Sequence, residues 1–186
     1  MKRIVGLALA VALVALGGCS GARYNADLLR TPIDAPYRLA SGDRLRVIVF
    51  GQDTLSNSFS VDGAGNVALP LIGLVHAQGL TTVEFGRAVE ARLRQGFLRD
   101  PSVSVEVEAF RPFFVLGEVT TAGQYPFVNG MTVQNAIAVA GGFTPRGAQD
   151  SVDLTRLVDG RPITASVPTT FAVRPGDTIQ VRERFF

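Results

Sequence analysis

Few side chains in this sequence are of the types that carry out catalysis or hold metal ions. Among 186 residues there is one cysteine, Cys19, and one histidine, His76. Zinc sites draw several ligands from these two residue types, so a Cys/His zinc centre is excluded. Glu106 and Glu108 could be paired carboxylates for sugar hydrolysis, and the sequence does not reveal their separation. Because they alternate with valines, we expect them to face solvent, and we predict no enzyme, cofactor or metal.

The thiol of Cys19 follows a segment that is typical of exported proteins. Met1-Lys2-Arg3 forms a basic start, and residues 4–16 form an apolar run. As a helix this run would cover about 20 Å at ~1.5 Å per residue, which is short for a bilayer core of about 30 Å. The lengths and their order predict a secretory signal. A buried core helix is the alternative, but no polar face interrupts the run.

The residues before the thiol, Leu16-Gly17-Gly18, resemble the lipobox of bacterial lipoproteins. The resemblance implies that residues 1–18 are a signal peptide, cleaved between Gly18 and Cys19. It also implies lipid on the thiol and on the new amino terminus, and two or more acyl chains give stable attachment. Ser20 stands where lipoproteins retained at the inner membrane often have Asp. This favours the periplasmic face of the outer membrane, with the inner membrane as the alternative.

The charge balance of the mature chain argues against nucleic acid as a partner. Lys2 and Arg3 leave with the signal, so 16 basic residues remain beside 16 acidic ones. Nucleic-acid binding depends on neutralising phosphates, and a chain without excess positive charge gives no electrostatic case for it. The remaining 168 residues suit one compact domain or two small ones.

Alternating periods predict a first β-rich unit after an irregular tether, residues 19–36. The first strand has Leu45, Val47 and Val49 on one face, and a hairpin is predicted across residues 62–66. A helix then begins after Thr81, with the capping-box spacing to Glu84. The apolar face of this helix is predicted to consist of Phe85, Val89, Leu93 and Phe97. In the strand that follows, Val103, Val105 and Val107 are predicted to face inward.

A second unit of similar size follows. Two strands bend at Gly117 and Gly123, and a short helix begins after Thr132. Gly141-Gly142 ends that helix, as glycine commonly does. A hairpin about Asp159-Gly160 and a last strand complete the unit. The sequence therefore predicts an α+β fold of two small β-rich units, each with one packed helix, the second being β-grasp-like.

The two units share a local motif just before a strand. Gly42-Asp43 and Gly176-Asp177 are each followed by an apolar residue two positions on. Glycine permits the turn, and an aspartate side chain can bond to its own local backbone. We therefore predict that Asp43 and Asp177 form turns and take no part in acid chemistry.

The order of the motifs resembles that of the Wza-like outer-membrane polysaccharide export proteins. In the first module the matching residues are Tyr37, Leu39, Gly42 and Asp43; Gly65, Val67, Leu69 and Pro70; Ile72-Gly73; Gly79-Leu80-Thr81 with Glu84; and Pro101, Val103 and Val105. In the second they are Gly117-Glu118-Val119; Gly123 and Tyr125; Ala140-Gly141-Gly142; and Pro175-Gly176-Asp177.

The resemblance implies a polysaccharide export domain over residues 37–110 and a soluble-ligand-binding (SLBB) β-grasp domain over residues 111–186. It implies structural roles for Gly42, Asp43, Pro70, Gly73, Gly117, Gly123, Gly141, Gly142, Gly176 and Asp177. Two departures are Ser41, where the family often has proline, and the stop at Phe186. Long members continue into an amphipathic helix that lines an outer-membrane pore, so we expect a short member.

The expected function is that of a lipid-anchored periplasmic component of capsule or exopolysaccharide export. The resemblance implies a homo-oligomeric ring that passes the exported polysaccharide toward a separate outer-membrane channel. An inner-membrane chain-length regulator, the polysaccharide co-polymerase, is an expected partner. Arg111 and Arg146 are candidates for contact with sugar. The alternative is a lipid-anchored sugar-binding protein without a transport role. A monomer with a closed pocket would favour this alternative.

Overall fold

The computed structural model describes residues 26–29 and 35–184. The predicted signal peptide, Gly18, Cys19 and most of the predicted tether lie outside the described residues. Two hydrophobic cores are present, each built from one helix and its own strands. The fold is α+β with two β-rich units, as the sequence predicts. Within the described ranges, no helix is both long and apolar enough to span a membrane.

The first unit is built on a three-stranded antiparallel sheet. Its order is β2 (Asn57–Ser60), β1 (Arg44–Val49) and β5 (Val103–Ala109), with β1 in the centre. The chain also forms a separate hairpin of β3 (Asn66–Leu69) and β4 (Gly73–His76). The predicted alternation of β1 is confirmed, because Leu45, Val47 and Val49 are buried. The three valines of β5 are half-buried.

Helix α1 (Thr82–Leu93) begins with the predicted capping box. The Glu84 amide donates to the Thr81 hydroxyl at 3.2 Å, and the Thr81 amide donates to the Glu84 carboxylate at 2.8 Å. Phe85, Val89 and Leu93 are buried, which confirms the predicted face.

The extension of this face to Phe97 is wrong, since Phe97 follows the end of α1 and is half exposed. The backbone leaves the helix through Gly96, at φ +103°. The Leu98 amide then donates back to the Leu93 carbonyl at 2.9 Å, and Leu98 packs on the core in place of Phe97.

The predicted hairpin across residues 62–66 is also wrong. Strand β2 pairs with β1, and β3 pairs with β4, so the two predicted arms lie in different sheets. The turn itself is present, because the Asp62 carboxylate accepts from the Ala64 and Asn66 amides at 2.9 and 2.8 Å. The short connection that makes a hairpin lies later, between Pro70 and Gly73.

The second unit contains a five-stranded sheet with one helix packed on it. The sheet order is β7 (Gly123–Tyr125), β6 (Phe113–Gly117), β10 (Thr178–Val181), β8 (Ser151–Val158) and β9 (Arg161–Pro168). Strands β6 and β10 are parallel, and the other pairs are antiparallel. Helix α2 (Val133–Val139) has the predicted cap, Thr132, and the hairpin about Asp159-Gly160 is confirmed.

A short 3-10 turn, Ala26–Leu29, packs on the second unit. Leu29 is 1% exposed and belongs to the second core. The prediction of an irregular tether did not anticipate this contact, because four residues are too few to show a period. The second unit is therefore held by a segment that precedes the first unit in the chain.

We expect Leu93→Ala to lower the free energy of unfolding by about 2–5 kcal/mol, because it leaves a cavity in a packed core. Val83→Ala is the matched control on the same helix, since Val83 is 61% exposed. Its effect should stay within about 0.5 kcal/mol. Urea unfolding followed by circular dichroism measures both, and equal effects of the two changes would contradict the packing of α1.

Candidate functional site at the junction of the two units

The two Gly-Asp motifs form the same turn. The Asp43 amide donates to the Ala40 carbonyl at 3.1 Å, and the Asp43 carboxylate accepts from the Ala40 amide at 2.9 Å. The Asp177 amide and carboxylate make the same two bonds to Arg174, at 3.1 and 2.7 Å. Both aspartates are buried. Their predicted role as turn-forming residues is confirmed.

The Asp43 carboxylate also joins the two units. It accepts a hydrogen bond from the hydroxyl of Tyr37 at 2.7 Å and another from the backbone amide of Arg111 at 3.0 Å. The guanidinium of Arg111 lies 3.8 Å from the same carboxylate and donates to the Tyr37 hydroxyl at 3.2 Å. Because Arg111 lies just before β6, one buried carboxylate holds the start of the second unit against the first.

Three aromatic rings pack beside this carboxylate. Phe110 lies edge-on to Tyr37, with ring centroids 4.8 Å apart, and edge-on to Phe127 at 5.5 Å. Edge-to-face pairs of this kind add about 0.5–1.5 kcal/mol beyond the area they bury. Phe127 packs on the second core and Tyr37 on the first, so Phe110 continues the apolar contact across the junction.

The second aspartate binds a buried arginine in the two-point geometry that suits a carboxylate. Arg156 donates from Nε and Nη2 to the two oxygens of Asp177, at 2.9 and 2.7 Å. It also donates to the carbonyls of Leu29 and Ala172, at 2.5 and 3.0 Å, and lies over the ring of Phe171. A buried ion pair is tolerated when its remaining donors are bonded in this way.

Arg156 was not among the residues singled out from the sequence, although a signal was present. In β8, Arg156 lies on the same face of the strand as Val152 and Leu154, which are buried. An arginine on the apolar face of a strand needs a buried partner, because an unpaired buried charge is very costly. That position on the strand could have identified Arg156 as the partner of a buried acid.

Arg111 contacts both Gly-Asp turns. Besides its bonds at the first turn, its side chain lies on Gly176 of the second. A Cβ atom at Gly176 would stand 2.6 Å from Nε of Arg111, and Gly176 has φ +85°. The positive φ favours glycine at this position, and any larger residue would displace the Arg111 side chain.

A pocket of about 110 Å³ opens on the second unit beside the second Gly-Asp turn. Three arginines line it, Arg111, Arg156 and Arg174, together with Leu157 and the Pro175-Gly176-Asp177 turn. Burial, followed by the positive charge of Arg156, lowers the pKa of Arg174, and Asp177 opposes this shift. Among the described residues, the Arg174 guanidinium has no hydrogen bond and no ion pair. The arrangement is suited to binding an anionic group.

The remaining motif glycines and Pro70 lie at turns and close approaches. Pro70 and Gly73 flank the turn between β3 and β4, and Gly123 begins β7. Gly141 and Gly142 follow α2. Gly117 ends β6 where the chain passes Val181, and a Cβ there would meet the Val181 carbonyl oxygen at 2.1 Å.

Other side chains considered from the sequence lie in ordinary surface positions. His76 is exposed on β4, with Nδ1 3.3 Å from the Asn66 side-chain oxygen. Glu106 is exposed, and Glu108 accepts from Arg44 at 2.6 Å. Arg146 pairs with Glu183. In the part of the chain that the structure describes, no cluster of three or more His, Cys, Asp or Glu could hold a metal.

Two family models match the chain in succession. A model described as "Polysaccharide biosynthesis/export protein" matches residues 31–108, and one described as "SLBB domain" matches residues 112–165. The chain belongs to the polysaccharide export protein family. Asp43 lies in the first matched range and Arg156 in the second, whereas Arg111 and the second Gly-Asp turn lie outside both ranges.

Relatives of this chain carry names from polysaccharide production, export and transport. It is 35% identical to the exopolysaccharide production protein ExoF of Rhizobium meliloti, over 76% of this chain and 35% of the relative. It is 27% identical to the EPS I polysaccharide export outer membrane protein EpsA of Ralstonia nicotianae, over 80% and 48%. It is also 27% identical to the polysialic acid transport protein KpsD of Escherichia coli, over 64% and 22%. The chain thus spans between about a fifth and a half of these relatives.

The contacts at the junction predict that Tyr37 ionises at a higher pH than an ordinary tyrosine. Burial, then the hydrogen bond to Asp43, raises the pKa of Tyr37 above its usual value near 10, and the positive charge of Arg111 opposes this. The folded state therefore holds this proton more tightly than the unfolded state. The resulting stability is complete below about pH 10 and is lost as pH rises through the raised pKa.

Absorbance titration of the three tyrosines should show one that resists ionisation above its usual range. Tyr37→Phe should remove this late step, whereas Tyr125→Phe, the control, should retain it. Retention of the late step in Tyr37→Phe would contradict the buried bond to Asp43.

We expect Asp177→Asn to lower the free energy of unfolding by about 3–5 kcal/mol, because it leaves the buried Arg156 charge without its partner. Asp153→Asn is the matched control in the same sheet. Asp153 pairs with Arg182 at 3.5 Å, and both side chains are partly exposed. Its loss should cost about 0–1 kcal/mol. Urea unfolding at pH 7 compares them, and a small effect of Asp177→Asn would show that the buried pair does not form.

Proposed function

We propose that the chain is a periplasmic lipoprotein of a capsule or exopolysaccharide export machine, which forms a homo-oligomeric ring. The ring passes polymer toward a separate outer-membrane channel. The observation that carries this proposal is the succession of the two family matches, residues 31–108 and 112–165. The relatives' names, which specify exopolysaccharide production, polysaccharide export and polysialic acid transport, support the substrate class.

In this proposal the protein acts by binding and guiding polymer, without chemistry of its own. The buried aspartates, which are the acidic groups best shielded from water, are both fully engaged in turns and ion pairs. The family described as polysaccharide export supports the same interpretation. The inner-membrane chain-length regulator is the proposed supplier of polymer, and the separate channel is its proposed receiver.

The anchor would hold the second unit close to the membrane. Six residues lie between Cys19 and Ala26, and an extended chain covers at most about 25 Å over the seven steps that join them. Leu29 is in turn fixed to the second core and to Arg156. An acylated Cys19 would therefore keep the packed turn Ala26–Leu29, and with it the second unit, within that distance of the bilayer surface.

Ring assembly requires subunits of fixed shape, and the junction supplies one. Head-to-tail contacts close into a ring only when each subunit presents its two surfaces at the same angle. The hydrogen bonds of Asp43 and the ring contacts of Phe110 fix the orientation of the two units relative to each other, at the point where the chain passes from one unit to the next. This rigidity supports the proposal of a closed ring.

The alternative is a lipid-anchored sugar-binding protein without a transport role. The pocket beside Arg174 favours this alternative, because it offers a binding site within one copy of the chain. The two functions differ in assembly. A ring on native mass spectrometry of the detergent-solubilised protein supports export, and a monomer that binds sugar supports the alternative.

We expect Cys19→Ser to abolish lipid labelling and to leave unprocessed or mislocalised protein. Palmitate incorporation and membrane fractionation measure this, and Gly21→Ala, two residues after the thiol, is the matched control. A Cys19→Ser protein that still labels with palmitate and sediments with membranes would contradict the lipoprotein proposal.

Deletion of the gene tests the transport role itself. We expect exported surface polysaccharide to fall and periplasmic polymer to accumulate, with recovery on expression of the wild-type chain. Recovery should also require the separate channel protein. Normal surface polysaccharide in the deletion strain would contradict the export function.

A further inference from the structure

We propose that the pocket lined by Arg111, Arg156 and Arg174 binds the carboxylate of an acidic sugar unit in the polymer. The inference rests on the proposed handling of polysaccharide and names the class of sugar that this site takes. It is carried by the charge balance of the pocket, by its size and by the apolar surface at its edge.

The three arginines differ in how their charges are compensated. Arg156 is neutralised by the two-point bond to Asp177. Arg111 lies 3.8 Å from the buried Asp43 carboxylate. Arg174 has neither bond within the described residues, although it is partly buried and close to Arg156. Counted over the described residues, the three arginines and their two aspartates therefore have one excess positive charge, and a bound anion would compensate it.

A carboxylate fits both the donor geometry and the space. A guanidinium presents parallel N–H groups that match the two oxygens of a carboxylate. The free volume of about 110 Å³ is several times the roughly 10–15 Å³ that a single bound water molecule needs. That volume suits a carboxylate group and the ring atom that bears it, with the rest of the sugar outside.

The edge of the pocket offers an apolar surface for the sugar ring. Leu157 lines the pocket and is 69% exposed. A pyranose ring has an apolar face of C–H groups, which can contact Leu157 while its carboxylate lies between the arginines. The combination fits an acidic sugar better than a small inorganic anion.

The test is calorimetric titration of the mature acylated protein in detergent with an oligosaccharide of glucuronic acid. A glucose oligosaccharide of the same length and inorganic phosphate are the comparison ligands. We expect binding of the glucuronic acid oligosaccharide, no detectable binding of the glucose oligosaccharide, and no displacement by equimolar phosphate. Arg174→Gln should weaken binding by about tenfold or more, which corresponds to about 1.4 kcal/mol for each factor of ten.

Matched variants separate binding from folding. Arg99→Gln changes an exposed arginine between α1 and β5 and should bind as wild type does. Arg174→Gln should keep the thermal midpoint of wild type, because its guanidinium has no hydrogen bond or ion pair within the described residues. Leu157→Ala should also weaken binding, by removing the apolar contact.

Three results would overturn the inference: wild-type affinity in Arg174→Gln, equal affinity for the glucose oligosaccharide, or displacement by equimolar phosphate. The last would reveal an unspecific anion site. These failures are distinguishable from failure of the proposed function. If deletion abolishes export but no acidic sugar binds, the pocket assignment is wrong and the export role stands. If deletion leaves export intact, the export role falls whatever the pocket binds.

Discussion

The carboxylate of Asp43 is the constraint on which the arrangement of the two units depends. It is fully buried, and a buried charge is tolerated only when hydrogen bonds and an opposite charge compensate it. Its partners are the Ala40 amide, the Tyr37 hydroxyl and both the amide and the guanidinium of Arg111. Two of these four groups belong to a residue at the start of the second unit. The carboxylate cannot be satisfied unless the second unit is in place.

A second buried acid repeats this solution with a different consequence. Asp177 has the same turn bonds as Asp43, but its arginine comes from β8 of its own unit and reaches out to Leu29. One Gly-Asp turn thus joins the two units, and the other holds a segment from near the start of the chain. Arg111 passes between the turns and leaves the arginine-lined pocket beside it. The features that fix the fold and the candidate binding site are therefore the same few residues.

Local patterns were sufficient to predict the elements, and long-range contacts were not. The alternation in β1, the capping box of α1 and the turns at Asp43 and Asp177 each depend on residues a few positions apart, and all are confirmed. The hairpin across residues 62–66 failed because β2 pairs with β1. The hydrogen bond from Arg111 to Asp43 joins residues 68 positions apart, so no local sequence pattern predicts it. The sequence offers Arg111 as a candidate for sugar contact only as one of several arginines in predicted loops, and it does not single out Arg174.

The most direct test of the account is the distance between the two helices, measured by pulsed electron paramagnetic resonance. Spin labels at Ala91 on α1 and Ala138 on α2, both exposed, report on the two units in a Cys19→Ser background. The account predicts one narrow distance distribution that broadens in Asp43→Ala. It should stay narrow in Asp62→Ala, which removes the bonds of a turn within the first unit only. An unchanged narrow distribution in Asp43→Ala would contradict the central role of this carboxylate.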